Sequence, residues 1–132
     1  MKITVDTNIL VRSIVRDDKK QAAAADRLLK SADLIAVTLP CLCELVWVLL
    51  KLYGISRKDV AQTIRSLLAV GKVEADRTAA EAGLAVLEQG GDFAAGVISH
   101  EGNRLGGQTF VSFDRQAVKL LQSAKHPARL AT

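Results

Sequence analysis

The sequence predicts an α/β domain in three layers, α/β/α, around a central, mainly parallel sheet of four or five strands. Three observations predict it. Short apolar runs rich in branched residues alternate with longer segments of helical spacing. No hairpin signal joins any two of those runs, and strands separated by helices pair in parallel with both faces covered. The 132 residues suit one domain, spanning 1–132, and suffice to bury about two thirds of the unfolded surface.

Ile3 to Asp6 reads as a short buried strand, and Thr7 to Arg12 as a helical turn. Asp17 or Asp18 caps a helix running to about Ser31, favoured by its alanine run. Leu34 to Thr38 is the second strand. Pro40 suits the first turn of the next helix, where its missing N–H costs nothing. Leu42, Leu45, Val46, Leu49 and Tyr53 keep helical spacing until Gly54 stops it. Ser56 caps a helix whose apolar stripe is Val60, Ile64, Leu67 and Leu68. Lys72 to Ala75 is a short strand, and Thr78 to Gln89 a helix with Ala82, Ala85 and Val86 inward. Gly90-Gly91 breaks it, and Asp92 starts a helix ending near Gly106-Gly107. Thr109 to Ser112 is expected to be the final strand, with Asp114 opening a last helix through Ala124. Linkers and internal repeats are not evident.

Hydrophobic content of 49% and charged content of 24% are those of an ordinary globular chain. No apolar run approaches the ~20 residues of a membrane span. The start reads as a strand and not as a signal peptide, which points to the cytoplasm. Cys41 and Cys43 lie two apart on a helix, face different sides and are expected to be reduced, buried thiols. His100 reads as a surface or structural residue and His126 as part of the tail, so a zinc site has no support. Net charge is +4 with a pI near 9.3, which permits a polyanionic partner without proving one. Positive groups collect at Arg12, Arg16, Lys19 and Lys20, and again at Arg115, Lys119, Lys125 and Arg129. Nucleotide-binding glycine loops and a Ser-His-Asp or Cys-His arrangement are missing.

Chemistry concentrates in the carboxylates. Asp6 closes an apolar strand and turns straight into Thr7-Asn8, at the sheet edge where open α/β folds bind ligands. Asp114 follows another apolar strand closely, and parallel strands present their ends on one edge. Asp6, Asp92 and Asp114 each precede a helix, so N-capping is the plain explanation for each alone. Glu44 resists that explanation, being the one charge between Leu42 and Leu50 on a helix expected to be buried on most sides. Acids gathered without a basic partner call for a divalent cation, and hard oxygen donors suit Mg²⁺ or Mn²⁺. Such ions serve phosphodiester cleavage. Thr7, Asn8 and Ser112 are short polar groups suited to orienting the acids.

Four segments, taken together and in order, resemble the PIN domain, and in particular the VapC-type toxins of bacterial toxin–antitoxin modules. They are Val5-Asp6-Thr7-Asn8-Ile9-Leu10, the Glu44 segment from Cys43 to Leu49, Asp92-Phe93-Ala94-Ala95-Gly96-Val97-Ile98, and Thr109-Phe110-Val111-Ser112-Phe113-Asp114. The resemblance implies a Mg²⁺- or Mn²⁺-dependent endoribonuclease, inhibited by a cognate VapB-like antitoxin whose tail occupies the active-site groove. It further implies a homodimer within a larger toxin–antitoxin complex, which binds operator DNA through the antitoxin. Asp6, Glu44 and Asp114 match its acidic metal-site residues, Asp92 assists or caps, and Ser112 matches the hydroxyl supporting the first acid. One position departs: the family usually carries Asp where this chain has Ala95. That exchange implies an impaired nuclease, either a deliberate detoxification or a natural degenerate copy. The rival reading is a non-catalytic PIN-like module that recruits an antitoxin-like peptide. A third is a small metal-dependent phosphatase.

Overall fold

A computed structural model describes residues 1–132, which fall into two compact units, Met1–Asp76 and Arg77–Thr132. In the first unit, β1 (Lys2–Thr4), β2 (Leu34–Ala36) and β3 (Val73–Glu74) form a parallel sheet with β2 in the middle. Its register sets Ile3 beside Ile35, and Ile35 beside Val73. Alternation turns these three to one face, where Ile35 and Val73 are buried. The predicted strands are longer than those observed, but the backbone bonding runs on. Val5 N–H donates to Ala36 O (3.3 Å) and Val37 N–H to Glu74 O (2.9 Å).

Helix α1 (Thr7–Val15) extends past the single turn expected, burying Leu10 and Val11. It stops at Arg16, whose φ of 62° is left-handed. Asp18 then caps α2 (Lys19–Ser31) through the Gln21 N–H (3.0 Å), and the small Ala22 and Ala25 let α2 pack on α1. Helix α3 (Leu39–Trp47) begins with Thr38 accepting from Cys41 N–H (3.3 Å) and with Pro40 in its first turn. It runs into a π-helical turn, Val48–Leu52, that the apolar spacing did not reveal. The expectation that this helix is buried on most sides is corrected. Leu42, Leu45, Val46 and Leu49 are buried, whereas Glu44 is exposed and Trp47 is 54% exposed. Ser56 caps α4 (Arg57–Ala69) as expected, and its stripe buries Val60, Ile64 and Leu68.

A polar clamp ties α1 to the end of the π turn. Arg12 donates to Asp17 (3.0 Å), to Gln21 (2.6 Å) and to Tyr53 Oη (3.3 Å), while Tyr53 donates to Asp17 (2.9 Å). Arg16 pairs with Asp26 (2.6 Å). The first of the two basic groupings in the sequence is therefore partly neutralised inside its own unit.

In the second unit, α5 (Arg77–Glu88) and α6 (Phe93–Arg104) pack together. Gly96 makes the approach possible, since a Cβ there would lie 2.4 Å from Ala82 O. The inward face of α5 needs correcting: Ala79, Ala80, Gly83, Leu84, Val86 and Leu87 are buried, but Ala82 is half-buried and Ala85 exposed. Strand β4 (Phe110–Ser112) leads through α7 (Arg115–Ser123) into β5 (Ala128–Leu130), which pairs parallel to β4 with Ser112 beside Leu130. β4 is thus not the last strand. Ala-Arg-Leu carries too little branched content to announce β5, and pairing with β4 creates it. All five strands pair in parallel, three in one unit and two in the other.

The clamp makes a pH prediction. Asp17 titrates below its ordinary value, chiefly through the Tyr53 hydrogen bond and then the Arg12 charge. Its folded pKa lies under the unfolded value of about 3.9, so its stabilisation is present above that pH and is lost as pH falls through the folded value. In thermal melts, Asp17→Asn should lower Tm at pH 7, and the gap to the parent should close as pH drops below about 4. A gap that fails to narrow on acidification would contradict the clamp.

Candidate active site

The carboxyl edge of the first sheet follows from register. Thr4 lies beside Ala36, so two residues further along each strand Asp6 and Thr38 leave the same edge. Each is in extended backbone and caps the helix it opens. Asp6 Oδ1 accepts from Thr7 N–H (2.7 Å), and the carboxylate is exposed. Cys41 and Glu44, three apart on α3, share a helical face in its first two turns.

Thr7 joins the two helices. Its side chain is 5% exposed, the one buried polar residue of the chain, and its hydroxyl donates to Cys41 Sγ (3.7 Å). Burial pushes the Cys41 thiol up from its ordinary pKa, the Thr7 hydrogen bond opposes this, and the charges of Asp6 and then Glu44 push it up further. One thiol thus feels both carboxylates. The Thr7–Cys41 contact sets the start of α1, which follows Asp6, against the first turns of α3, which carry Glu44. Neither acid is engaged by an arginine or lysine, so two like charges share a solvated edge. Asn8 is exposed beside them. Cys41 and Cys43 form no disulfide, Cys41 being buried and Cys43 half-buried.

The second unit holds the remaining acids. Asp92 caps α6 through Ala94 N–H (3.2 Å), and Asp114 caps α7 through Ala117 N–H (3.1 Å). Ser112 Oγ accepts from Asp114 N–H (3.0 Å), so this hydroxyl orients the Asp114 backbone. Both caps belong to one end of the unit. Gln116, in the first turn of α7, donates to Gly90 O (3.0 Å) in the turn before Asp92. A Cβ on Gly91 would lie 2.5 Å from Leu120 Cδ1 and 2.7 Å from Val86 Cγ1, so any larger residue there would have to displace those side chains. Ala95 stands one turn after Asp92, 7% exposed. An aspartate there would carry a nearly buried charge.

The donor set suits a hard divalent cation: exposed carboxylates without cationic partners, Asp6 being held by the Thr7 N–H. Asp6 and Glu44 supply a pair, and no group of three or more His, Cys, Asp or Glu is assembled for a metal. Sequence reasoning missed two features. The Thr7–Cys41 contact had no signal beyond a threonine after the first acid. His100, read as a surface or structural residue, and His126, read as part of the tail, both line one cavity of about 630 Å³ in the second unit.

A parallel α/β fold with an acid closing its first strand, and a second acid on the helix after β2, presents a carboxylate-bearing edge suited to a cation and its ligand. The PIN domain family matches residues 3–120, and the chain belongs to that family. Its expected α/β/α fold class holds, and its members are generally nucleases that typically use divalent metals. The comparison with curated proteins finds no match. No helix is long and apolar enough to cross a membrane.

The convergence on Cys41 is directly testable. In a Cys43→Ser background, Asp6→Asn and Glu44→Gln should each lower the pH at which Cys41 is alkylated half-maximally, and the pair should lower it furthest. Asn retains the cap. An unchanged alkylation profile would show that the two acids do not share this edge.

Proposed function

We propose that this chain is the toxin component of a type II toxin–antitoxin module, of the VapC type. In this reading it is a metal-dependent endoribonuclease of the cytoplasm whose activity is impaired by Ala95. The observation that carries the reading is the Thr7–Cys41 contact, which sets Asp6 and the helix bearing Glu44 at the carboxyl edge of a PIN fold. Mg²⁺ or Mn²⁺ bound there would supply charge neutralisation and an activated water for attack on an RNA phosphodiester. Asp6 and Glu44 would hold it. Asp114, Asp92 and position 95 keep the roles that the resemblance gives them, and residues 1–132 act as one functional domain.

The residues of this chain explain the rest. The Thr7 N–H fixes one Asp6 oxygen. The buried Thr7 hydroxyl on Cys41 keeps the start of α1 against α3, which maintains the spacing of the acids. Ala95 stands in α6 without strain because alanine is the best helix former. Its cost is to chemistry, through one carboxylate fewer.

An antitoxin whose tail occupies the active-site groove belongs to this reading, and a separate groove of about 530 Å³ in the first unit, with Leu10, Ile14, Leu29, Leu67 and Val70 in its lining, offers such a partner a further apolar surface. That surface suits the apolar face of a short amphipathic helix. Homodimerisation, and contact with operator DNA through the antitoxin, belong to the same proposal. The second reading, a non-catalytic PIN-like module recruiting an antitoxin-like peptide, is favoured by Ala95 itself.

One substitution separates the two. Ala95→Asp with Mn²⁺ should raise RNA cleavage by about 100-fold, as restoring a ligand would where even outer groups are worth 10–100-fold. Adding Asp6→Asn should abolish the gain. If Ala95→Asp folds, binds Mn²⁺ and still leaves RNA intact, the binding-module reading prevails.

A further inference from the structure

The two basic groupings differ in a way the sequence hides. Arg12 and Arg16 pair with Asp17 and Asp26 and serve the fold. Arg115 and Lys119 on α7 are exposed, and neither pairs with a carboxylate. They lie four apart, on one face of a helix whose opposite side buries Ala117, Val118 and Leu121. Arg115 is the first residue of that helix, where the dipole disfavours a cation. Helix stability gives no reason for it.

An exposed aromatic comes just before them in the sequence. Phe93 is 1% exposed and fills the core, whereas Phe113 is 76% exposed between Ser112 and Asp114. Val111, two residues earlier, is 55% exposed on the open face of the β4–β5 ribbon, and in register with it lies the exposed Arg129. An unburied phenyl ring two residues before an unpaired arginine costs solvation and contributes nothing to packing. That combination is how proteins hold single strands, with stacked bases on aromatic faces and phosphates on Arg and Lys. A duplex hides its base faces and has no use for the ring.

We infer that Phe113, Arg115 and Lys119 form a binding platform for single-stranded RNA, with Phe113 stacking on a base and the two cations taking the flanking phosphates. It deepens the nuclease reading and rests on it for the identity of the strand as RNA. Asp114, lying between ring and first cation in sequence, would then be held next to the backbone of the bound strand. None of the three platform residues carries the chemistry; each positions the strand.

The test is fluorescence anisotropy with a labelled 12-nucleotide RNA, its duplex form and the same-sequence DNA, on the full chain. Phe113→Ala should weaken single-strand binding about 10-fold, and Phe113→Trp should restore it. Arg115→Gln and Lys119→Gln should each reduce the slope of log K against log salt by about 0.7. Arg12→Gln, a fold residue, should leave that slope unchanged. Unaltered affinity and slope in the platform variants overturn the proposal, as does equal or tighter binding of the duplex. So does self-association of the chain that Phe113→Ala relieves without any effect on RNA. The nuclease reading fails separately. In the Ala95→Asp background, the platform variants should raise KM and spare kcat. Cleavage indifferent to them sinks the platform alone. Platform-dependent binding without cleavage in Ala95→Asp sinks the nuclease alone.

Discussion

The parallel pairing of β1 with β2 is the constraint on which the rest depends. It sets Thr4 beside Ala36, and both chains then leave the sheet in step, one through Asp6 into α1 and the other through Thr38 into α3. Slipping that register by one residue would turn Ile3 and Ile35 off the buried face, so hydrophobic burial locks it. The position of Glu44 relative to Asp6 is therefore fixed by the core of the first unit, and only finely adjusted by the Thr7–Cys41 contact. Packing decides the spacing of two charges that would repel if left to themselves.

Electrostatics follow from that geometry. The acids at the edge lack cationic partners, while arginines nearby in sequence are spent on Asp17 and Asp26. This division leaves a negative edge whose natural complement is a dication. In the second unit the pattern inverts, with Arg115 and Lys119 unpaired on the outer face of α7 and the exposed Phe113 just ahead of that helix in sequence. A chain whose net charge alone says little thus separates its charges by role.

Much of this was legible in the sequence. The alternation of apolar runs and helical spacing predicted parallel α/β architecture, and Asp18, Ser56, Asp92 and Asp114 all cap the helices they precede. Asp6 and Glu44 stood out by context, one closing a strand and the other alone among apolar neighbours. What was not legible arises from tertiary contact. The π turn at Val48–Leu52 has no sequence signature of its own, and β5 is made by its partner strand. The face of α5 misled because alanine suits either side of a helix, whereas Gly83 and Gly96 decide which side meets α6. Glu44 was expected to be buried because its neighbours are apolar, yet α3 keeps one open stripe that includes Trp47.

The central claim is that Asp6 and Glu44 share one divalent cation, and paramagnetic relaxation tests it most directly. Adding Mn²⁺ at a small fraction of an equivalent should broaden the amide signals of Thr7, Asn8, Glu44 and Leu45 first and together, and excess Mg²⁺ should restore them. Should those four signals survive while others fade, or should Thr7 and Glu44 respond at different Mn²⁺ levels, the two acids do not form one site.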